Sequence, residues 1–410
     1  MSLWSRITST LWRSKPEAKD LLRLWRIRFW MGLLALVAAW GLQVVLQQKG
    51  FLEHFDEFDA DQYARSDALP TEYSGRITIV AVNEHDYHDA HLFAAKSPLD
   101  PKKLKELISE VQDYRPRIIG IDFLTGDWQI PLGKSNMKTE PPIVWARDGE
   151  VPDEQRNENV GMVWNGVAGY SQNPPTWLRF AVPVNQPDSD GVIRHYPRTV
   201  KTREPDGQIM SDSPTMAQVL ASSFPYEQPD CRPADRPAGE CRIRFTGENH
   251  KFMILPASAV LHDHATDRRF SKYLDGRIVL IGGTYAAGRD RYASGGRYYS
   301  GVEILAHEIE SELTGPIYEV PSRVAFSVSL GLSVILYTIA FHLPPILDLP
   351  FSFVFLCVFS FGSGWILYHY DHRFFPIGSA LLSLPFGIIV EHCVGCRFLE
   401  QLLQPREAEG

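Results

Sequence analysis

The stretch IVLIGGTYAAGRD, Ile278 to Asp290, decides how the rest of the chain is read. An apolar run ends in Gly282 and Gly283, and Gly288 follows five residues after Gly283. A phosphate-binding loop would need G-x-x-x-x-G-K-[ST]: backbone N–H groups to cradle phosphate, a lysine to reach the outer phosphates, a hydroxyl to hold magnesium. Gly283 and Gly288 have the spacing, but Arg289 and Asp290 stand where the lysine and the hydroxyl belong. The run therefore reads as a buried strand ending in a glycine turn, outside the nucleotide-hydrolase class. In open α/β sheets such a carboxyl end is where ligands settle.

Working outward, the neighbouring segments alternate strand and helix. RITIVAVNE (Arg76–Glu84) is β-rich, and Asp100-Pro101 then opens a helix with Leu104, Leu107, Ile108 and Val111 on one face. RIIGIDF (Arg117–Phe123) is the next strand, so the spacing predicts a right-handed βαβ unit with parallel strands. Shorter strand candidates follow in PIVWA, VGMVWNGVA, RFAVPVN and VIRHYPRTV, the last two joined by the turn PDSDG (Pro187–Gly191) as a hairpin. A helix is expected over Thr215–Ser222, then strands IRFTG and FMILPA, and a closing helix from Gly301 to Leu313. The expected fold is α/β: a mixed sheet with central parallel strands and helices on both faces.

The chain has 410 residues, 44% apolar, with a net charge of −8, and its pI near 5.9 argues against a nucleic-acid partner. The apolar residues are segregated to the two ends. Phe29–Leu46 is uncharged and long enough to cross a bilayer, and Arg6, Arg13, Lys15, Lys19, Arg23, Arg26 and Arg28 precede it. That basic cluster places the N-terminus in the cytoplasm. The expected organisation is a cytoplasmic N-terminus (1–28), a membrane helix (29–47), an extracytoplasmic domain (48–320), membrane helices at 321–343, 351–369 and 375–396, and a cytoplasmic tail (397–410). This makes a multi-pass inner-membrane protein with its large domain in the periplasm. There Cys231 and Cys241 bracket a Pro-rich loop and are expected to pair as a disulfide.

Chemistry-bearing patterns are few. HEIES (His307–Ser311) misses the H-E-x-x-H zinc pattern at Ser311, and no G-x-S-x-G elbow occurs. His392 with Cys393 and Cys396 lacks a fourth ligand in its segment, so no metal is assigned. Neither an enzyme nor a cofactor is called for. What remains is a rim of polar residues at strand ends. Asn83 and Asp86 follow the first strand, Asp122 sits in the second, and Gly283 to Asp290 follow the last. Glu303 and His307, one turn apart on the closing helix, are expected to reach the same rim.

ITIVAVNEHD, YRPRIIGIDF, PDSDGVIRHYP and the span from GRIVLIGG to AHEIESEL, in that order, resemble the type-two CHASE domain over about residues 50–316. That resemblance implies an extracytoplasmic signal-input module of the kind found beside histidine kinases and nucleotide cyclases. Asp86, Asp122, Asp190, Asp290 and Glu303 match its recurrent acidic positions, and Asn83 stands where many members are acidic. About 15 residues follow the last span, so the output is expected in a partner. The expected function is thus a membrane sensor that binds an extracytoplasmic small molecule or ion and signals to a cytoplasmic or membrane partner, with a homo-oligomer possible in the bilayer. A pore-forming or scaffold role for the C-terminal helices and a periplasmic hydrolase are the alternatives.

Overall fold

The computed structural model describes residues 74–123, 140–147, 176–200, 213–225, 240–245, 252–262 and 269–320 with short gaps, residue 125, and scattered positions in 26–61 and 324–374. Two compact units form. One comprises Asp61–Glu319 with Tyr368–Phe374, the other Met1–Ala60, Val320–Leu367 and Phe375–Gly410.

The first unit is built on a six-stranded sheet. In chain order its strands are β1 (Ile77–Val82), β2 (Ile118–Asp122), β3 (Ile143–Ala146), β4 (Leu178–Ala181), and, after β5 to β8, β9 (Met253–Pro256) and β10 (Ile278–Gly283). Across the sheet the order is β4-β3-β2-β10-β1-β9, and every pairing is parallel. The glycine-ended strand is thus central, with Ile278 in register with both Ile77 and Ile118. Antiparallel pairing occurs in the small ribbons of β5 (His195–Pro197) with β8 (Glu240–Arg242), β6 (Thr199–Val200) with β7 (Ser213–Pro214), and β11 (Arg291–Ser294) with β12 (Arg297–Ser300). The main sheet is therefore parallel throughout rather than mixed.

Strand periodicity sorts the side chains into two cores. Val80 and Val82, Ile119 and Ile121, Ile143 and Trp145, Val279 and Ile281 share a core with helices α2 (Pro101–Asp113) and α4 (Ala257–His262). Ile77 and Ile79, Ile118, Val144 and Ala146, Ile278 and Leu280 pack with α3 (Met216–Ala221) and α6 (Gly301–Thr314). Helices cover both faces, as expected. In α2, Leu104, Leu107, Ile108 and Val111 are each fully buried, and the Asp100 carboxylate caps the helix by accepting the Lys102 N–H at 2.9 Å. Such a cap contributes about 1 kcal/mol. The short helices α1 (Glu84–His88) and α5 (Ser271–Leu274) complete that side.

The β1–α2–β2 crossover joins parallel strands, as expected, with β10 inserted between them. One local expectation fails. The PDSDG segment is a tight turn, with Asp188 N–H to Val192 O at 2.9 Å and Gly191 at φ 81°, yet it closes no hairpin. β4 is drawn into the main sheet beside β3, and β5 pairs instead with β8. The VGMVWNGVA segment lies outside the described residues.

In the second unit the described residues are scattered. Large apolar side chains there face outward: Leu34 is 74% exposed, Val358 68% and Trp30 61%. Among the described residues no helix is long and apolar enough to cross a membrane. Most of the positions assigned to the four spans lie outside that set.

The seat of α6 depends on Gly282. A Cβ there would lie 2.6 Å from Cβ of Val302, an atom fixed to the helix backbone. At Gly120 the crowding atoms are the ends of Leu220, Leu280 and Met216, which can swing aside. Gly282→Ala is expected to destabilise the full-length chain by about 1–3 kcal/mol, as overpacking of a tight core does. Gly120→Ala should cost less. Thermal unfolding of the two variants side by side checks the order; the reverse ranking would show that α6 is not held by this contact.

Candidate functional site: an acidic rim at the strand ends

β2 and β10 end beside one another, with Asp122 in register with Gly282. Alternation along β2 puts Asp122 on the same face as Ile118, towards α3 and α6. Asp290, just beyond the glycine turn, is brought to the same place by the start of α6. A Cβ on Gly301 would meet its Oδ2 at 2.2 Å, so only glycine admits this carboxylate at the first turn of the helix. The Gly301 N–H and the Tyr292 hydroxyl both favour its ionised form, but burial outweighs them and raises its pKa. Asn185 in turn donates to the Tyr292 oxygen, and burial with the nearby Asp290 charge pushes the Tyr292 hydroxyl to about 12. Among the described residues Asp122 has no such donors. Burial, then the Asp290 charge, raises its carboxyl to about 7.

From α6, Glu308 feels the charge of Asp122. It is 1% exposed, and burial followed by the charges of Asp122 and Glu312 raises its pKa well above the usual range. Tyr285, stacked on Tyr87 with ring centroids 4.1 Å apart, borders the turn beside Phe123 and Gly283. The result is a partly open rim of carboxylates and aromatic faces at the carboxyl edge of a parallel sheet.

The residues expected at this rim divide. Asp122, Gly283 and Asp290 gather there. Asn83 is the N-cap of α1, its side chain accepting the Asp86 N–H at 2.9 Å. Asp86 is fully buried on the α2 and α4 side, its Oδ2 accepting the Ser258 N–H at 3.4 Å. Neither is brought to Asp122 by these contacts. Glu303 is spent on capping: its carboxylate accepts the Ser300 N–H and hydroxyl, both at 2.8 Å. His307 is 3% exposed and lies against Phe245, Phe252 and Tyr299 at 4.8–5.2 Å between centroids. Burial lowers its pKa to about 3, so it is a neutral core residue. The sequence places Glu303 and His307 on a free helix face, but the β5–β8 side covers that face: Ile304 packs with Tyr196, Cys241, Ile243 and Phe245. Cys241 is disulfide-bonded and buried, and Cys231, its expected partner, lies outside the described residues.

A second charged cluster forms around Arg194 and His195. The Arg194 guanidinium, 5% exposed, bonds Asp61 at 3.0 and 2.8 Å, Asp190 at 3.0 and 2.9 Å, and Asp188 at 3.3 Å. His195 bridges Asp188 at 3.2 Å and Glu319 at 3.0 Å, and Arg242 also grips Glu319. Burial opposes charge on His195, but its two carboxylate contacts prevail and raise its pKa. Asp190, matched above to a recurrent acidic position, thus serves this clasp rather than the rim. Asp61 and Glu319 stand at the two ends of the unit's long segment, so the clasp ties its entry to its exit.

The parallel sheet thus carries an acidic, aromatic-edged rim at its carboxyl edge. The CHASE2 domain matches residues 33–342, so the chain belongs to that family of extracellular sensory domains, whose role is signal transduction. No curated protein and no solved structure matches it.

The rim carries a pH signature. Asp122 keeps its proton in the folded state up to about pH 7, whereas an unfolded aspartate releases it near about 4. Across that window the folded chain binds more protons, so this carboxyl makes stability fall as pH rises. Raised Glu308 and Asp290 act in the same sense. His307 acts oppositely, costing stability as pH falls below about 6.5, because it must stay neutral. Asp122→Asn is expected to flatten the decline of the unfolding temperature between about pH 4 and 7. A wild-type slope in the variant would place the titration elsewhere.

Proposed function

We propose that the chain is an inner-membrane sensor: its α/β body lies in the periplasm, binds a small ligand at the Asp122–Asp290 rim, and passes the change through membrane helices to an output partner. The observation that carries this reading is the rim itself, carboxylates with too few donors at the carboxyl edge of a parallel sheet, in a chain of an extracellular sensory family. To signal, the ligand must bind one state of the domain more tightly than another, since equal affinity shifts no equilibrium.

Three features support the membrane placement. The outward apolar side chains of the second unit, Leu34 and Val358 among them, suit lipid contact. The segments 29–47, 321–343, 351–369 and 375–396 are apolar enough to span, and basic residues precede the first. The Cys241 disulfide suits an oxidising compartment.

Alkaline phosphatase fused near Gly207 is expected to be active in intact cells, and a green fluorescent protein fused at the same point dark. The opposite pair of results would put the domain in the cytoplasm and overturn the sensor reading.

A further inference from the structure

The ligand class follows from the charges around the rim, and the step rests on the sensor reading above. Helix α6 carries three buried glutamates, two of which have partners from the protein. Glu312 accepts the Tyr196 hydroxyl at 3.0 Å and Arg198 Nε at 2.9 Å. Glu310 accepts the Ser74 N–H at 2.7 Å and its hydroxyl at 2.6 Å. Among the described residues the Oε1 of Glu308, itself 1% exposed, has no hydrogen-bond partner, and the charges acting on it are those of Asp122 and Glu312. Asp122 in turn faces the charge of Asp290. Among the described residues no cation acts on any of the three rim carboxylates. Asn185 adds a buried Oδ1 that likewise has no partner among the described residues.

Acceptors buried without donors carry the full penalty of desolvation, and like charges in one site add to it. A cation that brings N–H donors would relieve both. A lone metal ion fits poorly, because the ligand atoms of Asp122, Asp290 and Glu308 do not all lie within 4.8 Å of one another. A wider cation can bridge them. The aromatic border of Tyr285 and Phe123 suits the carbon chain and the face of an ammonium group. We propose that the rim binds an organic cation, a small primary amine or diamine, with its ammonium group among Asp122, Asp290 and Glu308 and its methylenes against Tyr285.

Calorimetric titration of the full-length, detergent-solubilised chain with 1,4-diaminobutane and with spermidine tests this. Saturable binding is expected at about pH 8, weakening about tenfold by pH 6 as Asp122 takes up a proton while the amine stays charged. 1,4-Butanediol, of equal length and uncharged, should not bind, a comparison that needs no variant. Asp122→Asn and Glu308→Gln should each weaken the diamine at least about tenfold. Glu106→Gln, on the exposed face of α2, should leave it unchanged. Equal binding of the diol, saturation by magnesium or calcium but by neither amine, or no amine binding to the folded wild-type chain would each overturn the ligand class. Those results leave the sensor reading standing, whereas a cytoplasmic reporter at Gly207 removes that reading and leaves any measured amine affinity intact.

Discussion

Everything at the rim depends on how closely the start of α6 approaches the end of β10. Two glycines permit it. Gly282 leaves room for Val302 on the sheet, and Gly301 leaves room for the Asp290 carboxylate against the helix backbone. A Cβ at either point would push the helix off the strand end or the carboxylate off the helix. With the helix seated, Glu308, two turns beyond Gly301, comes near enough to β2 for the charge of Asp122 to act on it. The rim is therefore a product of packing: the same contact that closes one core concentrates negative charge at its edge.

The protein treats buried charge in two ways. Around Arg194 and His195, four carboxylates meet two guanidiniums and an imidazole through direct bonds. Removing one partner from so dry a network leaves a stranded charge, which is why such clusters hold their geometry. At the rim, the charge of Asp290 acts on Asp122 and that of Asp122 on Glu308, and the hydroxyl of Tyr292 and the amide of Gly301 serve Asp290 alone. The first arrangement pairs its charges with one another. The second stores the cost of unmet acceptors and is relieved by protons or by a cation.

Much of this was legible in the chain. The strands around Ile79, Ile119 and Leu280, the Asp100 cap and the four-residue stripe of α2 follow from local periodicity and capping chemistry, which need no knowledge of neighbours. Asp122 and Asp290 were readable because a strand's end is fixed by the strand. Glu308, Tyr292 and Asn185 were not, since their place depends on which layer covers α6. The helix reads as amphipathic, with Val302, Ala306 and Ile309 inward, yet the β5–β8 ribbon buries its other side too. That single omission moves His307 from the rim into an aromatic cage and exchanges it for its neighbour. Strand order was equally hidden: pairing between β10 and two much earlier strands leaves no local trace, and the PDSDG turn signals a reversal without naming what pairs across it.

The central place of β10 also bears on how the domain is made. β1 and β2 emerge from the ribosome long before the strand that joins them, so their facing edges stay unpaired while most of the body is synthesised. Contacts between such distant parts of a chain form slowly, and open edges invite pairing with other molecules in the meantime. A chain crossing a membrane as it grows would meet this delay on the far side, where the sheet stays divided until its keystone arrives.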